Sequence, residues 1–359
     1  MTPAPLLGTA LHAVGAASAA LCYTPQRFLH KWSWQTYWLV QAAFCWLTLP
    51  WIFGYFCIPN LNTVLAEAPT DAMIRSYLFG ALYGVGGIAF GVSIRYIGFS
   101  LTYAIAIGVS CVGGTFIGSF LAGNLSSIFT QDGFSFVLAG VLIGAVAMLF
   151  TGLAGFRKEQ ELGAGDYTIS DFNPRVGIPI CLIAGVLSAV YNLAITAGEP
   201  ITRLAVAHGA GDFAFTANYL FSNPGAFTTT LLYAGWLSWK NGTTRQLFRT
   251  EDGSGLVRNY LLAALTGLLW YLQFFFYGLG HDRMGTFGFS SWAIHMIILI
   301  LLSCGFGVAI GEWKKCRVST KRLITFAVAL LVIAVGLITH GNKIASDSAA
   351  ETPPSASAH

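Results

Sequence analysis

Residues 259–281 read Asn-Tyr-Leu-Leu-Ala-Ala-Leu-Thr-Gly-Leu-Leu-Trp-Tyr-Leu-Gln-Phe-Phe-Phe-Tyr-Gly-Leu-Gly-His, with no Lys, Arg, Asp or Glu between Arg258 and Asp282. A run of this length and apolarity matches the roughly 20 residues that a helix needs to cross a hydrocarbon core about 30 Å thick. It is also patterned. At 100° per residue, Thr266, Trp270, Gln273, Tyr277 and His281 fall within an arc of about 80°, while Leu268, Leu272, Phe275 and Leu279 lie elsewhere on the helix. A narrow stripe of amphipathic aromatics and an amide is poorly suited to acyl chains and better suited to a wet cavity. The competing assignment is hydrogen bonding to neighbouring helices.

The rest of the chain has the same character. Of 359 residues, 55% are hydrophobic and 9% charged, against roughly 25% charged in soluble domains. Mean hydropathy is +0.66. So few charges cannot cover a soluble fold, which excludes water-soluble enzymes, nucleic-acid binders and disordered chains. Apolar runs fall near 5–25, 36–57, 73–96, 99–121, 134–155, 176–198, 214–238, 259–280, 287–310 and 322–340. Lipid-exposed backbone must satisfy its own hydrogen bonds, so the runs predict ten transmembrane helices in an all-α integral membrane protein. The first run lacks the basic n-region of a cleaved signal.

Basic residues orient the runs. Fifteen of the 19 Lys and Arg fall in one alternate set of loops, and Arg75, Arg203, Arg283 and Lys343 fall in the other. Positive loops stay in the cytoplasm, so both termini are expected outside it. Seven cysteines are scattered in or beside apolar runs without a C-x-x-C pair; packing is their expected role, not disulfides or a metal site. The expected organisation is a five-helix repeat over 1–156, a cytoplasmic linker over 157–175, a second repeat over 176–343, and a Ser/Ala/Pro-rich disordered tail over 344–359. Ten helices split five and five place the halves in opposite orientation, the inverted repeat common in secondary transporters. Gly15–Ala19 matches Gly185–Ala189, Ala81–Gly84 matches Ala264–Gly267, and Tyr103–Ile105 matches Trp292–Ile294, in order. Gly80, Gly84, Gly87, Gly91 and Gly98 share a face of the third run, and that stripe reads as helix packing. No phosphate-binding loop signature occurs.

Polar groups inside spans are costly and mark function. The sixth run carries Ser188, Asn192 and Glu199 on one face. The ninth offers Ser291 and His295 with Trp292 adjacent, and the first offers His12 and Tyr23. The seventh contains Asn218, Ser222 and Asn223-Pro224-Gly225, which predicts either a helix break or a plain proline kink. No Lys, Arg, Asp or Glu lies near mid-membrane. An anionic sugar phosphate would need buried cations, and a cationic drug a buried carboxylate. Hydroxyls, amides and indoles suit a neutral polyol, whose C–H face stacks on Trp or Tyr. Trp270, Gln273, Tyr277, Trp292, Ser188, Asn192 and Asn218 are the candidate substrate contacts.

The motifs LHAVGAASAA (11–20), KWSWQTYW (31–38), LTLPW (47–51), SIRYIGFSL (93–101), AIAIG (104–108), WYLQFFFYGLGH (270–281), SSWAIHM (290–296) and GEWKK (311–315) resemble the L-rhamnose–proton symporter family. The likeness is strongest in runs 1 to 4, 8 and 9. It implies a ten-helix member of the drug/metabolite transporter superfamily in a bacterial inner membrane, importing L-rhamnose with protons. It also implies that His12, Trp270, Tyr271, Gln273, Tyr277, His281, Trp292, His295 and Glu312 sit in family motifs. Histidine titrates near neutrality, so His12, His295 and, at the outer mouth, His281 are the expected proton-coupling groups; Glu199 and Glu312 suit gating or ion pairing. Expected partners are the sugar, the proton and the bilayer, with no cofactor, metal or nucleic acid. The alternatives are sodium coupling, a different sugar, a non-transporting sugar sensor, and a membrane enzyme, for which no HExxH or carboxylate cluster is present.

Overall fold

A computed structural model describes residues 4–121, 123, 125–162, 173–250 and 252–351. Its elements are α1 (Pro5–Leu21), α2 (Trp34–Ala43), α3 (Leu49–Cys57), α4 (Leu61–Glu67), α5 (Thr70–Ile97), α6 (Phe99–Leu121), α7 (Leu125–Phe129), α8 (Phe134–Leu162), α9 (Pro174–Ala197), α10 (Glu199–Ala207), α11 (Thr216–Lys240), α12 (Leu256–His281), α13 (Ser291–Ala309) and α14 (Val318–Glu351). Among the described residues nine helical spans are long and apolar enough to cross a membrane. They take in α1, α2–α3, α5, α6, α8, α9–α10, α12, α13 and α14. The remaining long helix, α11, has 25 residues, roughly 38 Å at 1.5 Å per residue. Length does not disqualify it; polarity does, through Asn218, Ser222, Asn223 and Thr228–Thr230.

Small residues set the packing distances. A Cβ at Gly80 would lie 1.9 Å from the Ser222 carbonyl oxygen, and one at Gly84 would lie 2.0 Å from Thr229 Oγ1. Bare backbone on α5 therefore presses against α11. Gly267 of α12 approaches the second span in the same way: its Cβ would be 2.9 Å from the Gln41 carbonyl oxygen. In lipid such close approach replaces the missing hydrophobic drive between helices. The glycine stripe is nevertheless not all packing. A Cβ at Gly87 would meet nothing within 4 Å, one at Gly91 only the Trp34 ring at 3.8 Å, and Gly98 ends α5 at φ +80°.

Two expectations are corrected and one open choice is decided. Of the two alternatives for Asn223-Pro224-Gly225, the helix break fails: α11 runs through Pro224. Its Gly225 instead lets α5 close in, since a Cβ there would sit 2.1 Å from the Tyr77 carbonyl oxygen. The irregular turn is in the second span, where a π-helical turn over Phe44–Thr48 precedes Pro50. Proline lacks the N–H that would continue the ladder, and Thr48 Oγ1 donates to the Ala43 carbonyl at 3.2 Å. The tail is helical to Glu351. Its alanines favour helix, and Asn342 anchors it by donating to Ser290 Oγ at 3.0 Å; residues 352–359 lie outside the described residues. The linker is helical at both ends, to Leu162 and from Pro174, with 163–172 outside the described residues.

Candidate functional site

A central cavity of about 100 Å³ lies between α1, α2, α5, α6, α9, α12 and α13. Its polar wall comes from Gln273, Ser188 and the indoles of Trp270 and Trp292. Tyr23, Trp38, Tyr83, Phe90 and Tyr103 supply most of the rest, and among the described residues no charged side chain lines it.

Trp270 is fixed by other rings. Tyr23, Trp38 and Trp46 meet it edge-on at centroid distances of 5.5, 5.4 and 5.8 Å, the favoured geometry for aromatic pairs. Trp292 donates from Nε1 to Ser110 Oγ at 3.0 Å, and Ser110 Oγ in turn donates to Ser188 Oγ at 3.1 Å. Gln273, 8% exposed on the cavity wall, has its amide free of protein partners. An amide that faces the cavity with no bond to the protein is a ready contact for a hydroxyl-bearing ligand.

The stripe along α12 thus divides into three. Near its start Thr266 accepts from the Tyr37 hydroxyl at 2.6 Å; Trp270 and Gln273 face the cavity. Tyr277 lies beyond, surrounded by three imidazoles. Its ring is 5.2 Å from His12, 5.5 Å from His295 and 5.8 Å from His281, and also 5.4 Å from Trp292. Both ring nitrogens of His12 and of His295 are buried without hydrogen-bond partners, as are His281 Nδ1, the Tyr277 hydroxyl and Ser291 Oγ. Native proteins leave few such groups unpaired. Several of them gather around Tyr277, beside Trp292, and form the candidate coupling cluster. Among the described residues no group of three or more His, Cys, Asp or Glu is arranged to hold a metal.

Two of the expected substrate contacts are used elsewhere. Asn192 donates to the Gly114 carbonyl at 2.8 Å. Asn218 donates to the Ala194 carbonyl at 3.1 Å and accepts from Ser76 Oγ at 2.5 Å, tying α5, α9 and α11 at the Gly198 bend. Glu312 pairs with Lys158 at 2.5 Å, and the same ammonium lies over the Trp313 ring at 4.9 Å. Glu199 pairs with Arg203, one helical turn away, at 3.5 Å. At that end Arg283 is ion-paired to Asp212, and its carbonyl accepts from Ala4 N at 2.9 Å.

Two groups escaped the sequence reading. Tyr83, Gly86, Gly87 and Phe90 form the α5 wall; their spacing of 3, 1 and 3 was visible, opposite exposed Ile74, Leu78, Leu82 and Val85, but a search for polar residues passes over it. Asp282, next to His281, is the other. Burial, then the charges of Glu199 and Asp212, raise its pKa to about 6.

Membrane-length helices around a central, uncharged, aromatic-walled cavity define the class, a polytopic membrane carrier. A family model described as L-rhamnose-proton symport protein (RhaT) matches residues 1–346. The L-rhamnose-proton symporter of Mannheimia succiniciproducens is 31% identical over 343 residues, covering 94% of this chain and 98% of that protein. Those of Citrobacter koseri and Escherichia coli are 30% and 29% identical over 348 residues, each covering 95% of this chain and 99% of the relative. The chain belongs to the L-rhamnose-proton symport protein family, a family of multi-pass membrane symporters and not of enzymes.

Proposed function

We propose that this chain carries L-rhamnose into the cell by proton symport, through alternating access of the central cavity. One observation carries the reading: a central cavity walled by indoles, a free amide and a hydroxyl, with unpaired histidines packed around Tyr277, whose ring meets the cavity-lining Trp292. A neutral sugar can stack its C–H face on Trp270 and bond Gln273 and Ser188. Protonation of His12 or His295, relayed past His281 and Tyr277, would shift the balance between outward- and inward-open forms.

We further infer ten spans, α11 being the tenth, as a 5+5 inverted repeat. Support comes from the pairing of helices. Exchanging α1 with α9, the α2–α3 span with α11, α5 with α12, α6 with α13 and α8 with α14 maps α5–α9 contact onto α12–α1 and α5–α11 onto α12–α2. It likewise maps α6–α9 onto α13–α1 and α6–α8 onto α13–α14, while α8–α14 maps onto itself. With the basic loops inside, both termini face the periplasm across the inner membrane. The cavity, whose wall includes Tyr23 only four residues from Arg27, then opens toward the cytoplasm, with the Arg283–Asp212 pair on the closed outer side.

Counterflow in proteoliposomes tests transport. Vesicles preloaded with unlabelled L-rhamnose should transiently concentrate labelled sugar from outside. Labelled sugar that binds without entering would identify a sensor and refute the reading.

A further inference from the structure

We propose that Gly87 determines the size of sugar this carrier accepts, its absent side chain providing the room that a six-carbon sugar needs; this rests on the sugar-transport reading above. The glycines of α5 separate by what a side chain would meet. At Gly80 and Gly84 it would collide with α11, and at Gly86 with Leu187 Cβ at 2.8 Å, whereas at Gly87 it would enter open space. That space is interior. Gly87 lines the cavity with Tyr83 and Phe90, on the side of α5 opposite exposed Leu78, Leu82 and Val85. A glycine inside a helix is unfavourable relative to alanine, and close packing does not explain this one.

The repeat gives the position a counterpart. Gly84 and Gly267, 183 residues apart, both press bare backbone onto a neighbour, one on α11 and the other on the second span. The same offset carries Gly87 to Trp270 and Phe90 to Gln273, and all four line the cavity. Where the second half places an indole, the first places no side chain. The cavity therefore has the Trp270 indole at this position of α12 and leaves the equivalent position on α5 empty for the ring's outer substituents.

Two measurements test the proposal on the purified full-length carrier. The first needs no sugar. In Gly87→Cys, alkylation by a small water-soluble reagent is read peptide by peptide by mass spectrometry. The introduced thiol should react, while fully buried Cys111 and Cys181 should not. An introduced thiol as inert as Cys111 would overturn the proposal.

The second compares L-rhamnose with L-lyxose, the same ring without the methyl carbon, by calorimetric binding. One methylene in a pocket changes selectivity by roughly 10- to 200-fold, so Gly87→Ala should lower the ratio of rhamnose to lyxose affinity about tenfold. Gly87→Val should lose rhamnose altogether while its thermal melting stays that of the wild type. An unchanged ratio in Gly87→Ala, with rhamnose binding retained in Gly87→Val, would refute the size role. Wild-type protein that binds neither sugar, while the thiol of Gly87→Cys reacts, would instead remove the sugar reading. Any role in sugar size would go with it, leaving only the placement of Gly87 on the cavity wall.

Discussion

Replacing Gln273 by leucine keeps much of the side chain's bulk and removes its hydrogen-bonding amide. Gln273 is 8% exposed and lines the cavity without a protein partner, so the substitution breaks no bond inside the protein. Thermal stability should hold, because no bond within the protein is lost. Bound sugar would lose its partner, and a buried hydroxyl left unsatisfied costs about 1–3 kcal/mol. That range corresponds to a dissociation constant weakened about 5- to 150-fold. Calorimetric titration of L-rhamnose into detergent-solubilised protein reads the constant, and differential scanning fluorimetry reads stability on the same sample. Gln273→Ala should weaken binding at least as much, since it also gives up contact with the Trp270 side of the cavity. Wild-type affinity in both variants, with normal melting, would show that the amide does not meet the sugar.

Other substitutions separate coupling from structure. His12→Gln and His295→Gln, singly and together, keep hydrogen-bonding side chains but remove titration; at least the double variant should still exchange sugar across proteoliposomes yet fail to accumulate it against a gradient. Asn218→Ala removes donors to the Ala194 and Ile195 carbonyls and one of the two acceptors of Ser76, which keeps the Ala194 carbonyl, so stability should fall by about 1–3 kcal/mol, seen as a lower melting temperature. Asp282 titrates higher in the folded protein, about 6, than its ordinary 3.8, chiefly from burial; its charge therefore destabilises the fold above pH 6, and the penalty vanishes as pH falls below 4. Asp282→Asn should raise the melting temperature at pH 7–8 and leave it unchanged at pH 4.

Much of this architecture was legible in sequence because lipid leaves the backbone few options. Long uncharged runs must be helices, and Arg258 and Asp282 bracket α12 as plainly in the sequence as in the fold. The α12 stripe was legible too, as one face with Trp270 and Gln273 at its centre. Its division was not: whether Thr266 meets Tyr37 or Tyr277 meets His12 depends on which helix lies opposite. Asn192 and Asn218 show the same limit. A buried amide in a span can serve ligand or backbone, and only the positions of Gly114, Ala194 and Ile195 reveal which. On α5 the cavity wall is aromatic and glycine, so polarity gave no signal. Pro224 left break and kink open because proline's missing donor can be tolerated inside a well-packed helix, and Gly225 beside it serves close contact with Tyr77.

Accumulation of labelled L-rhamnose in proteoliposomes under an imposed pH gradient alone tests the central claim most directly. With the outside acidic and sodium absent, internal sugar should rise above the external concentration and fall back when a protonophore collapses the gradient. Equilibration without accumulation, or accumulation only when a sodium gradient is supplied, would contradict proton-coupled import by this chain.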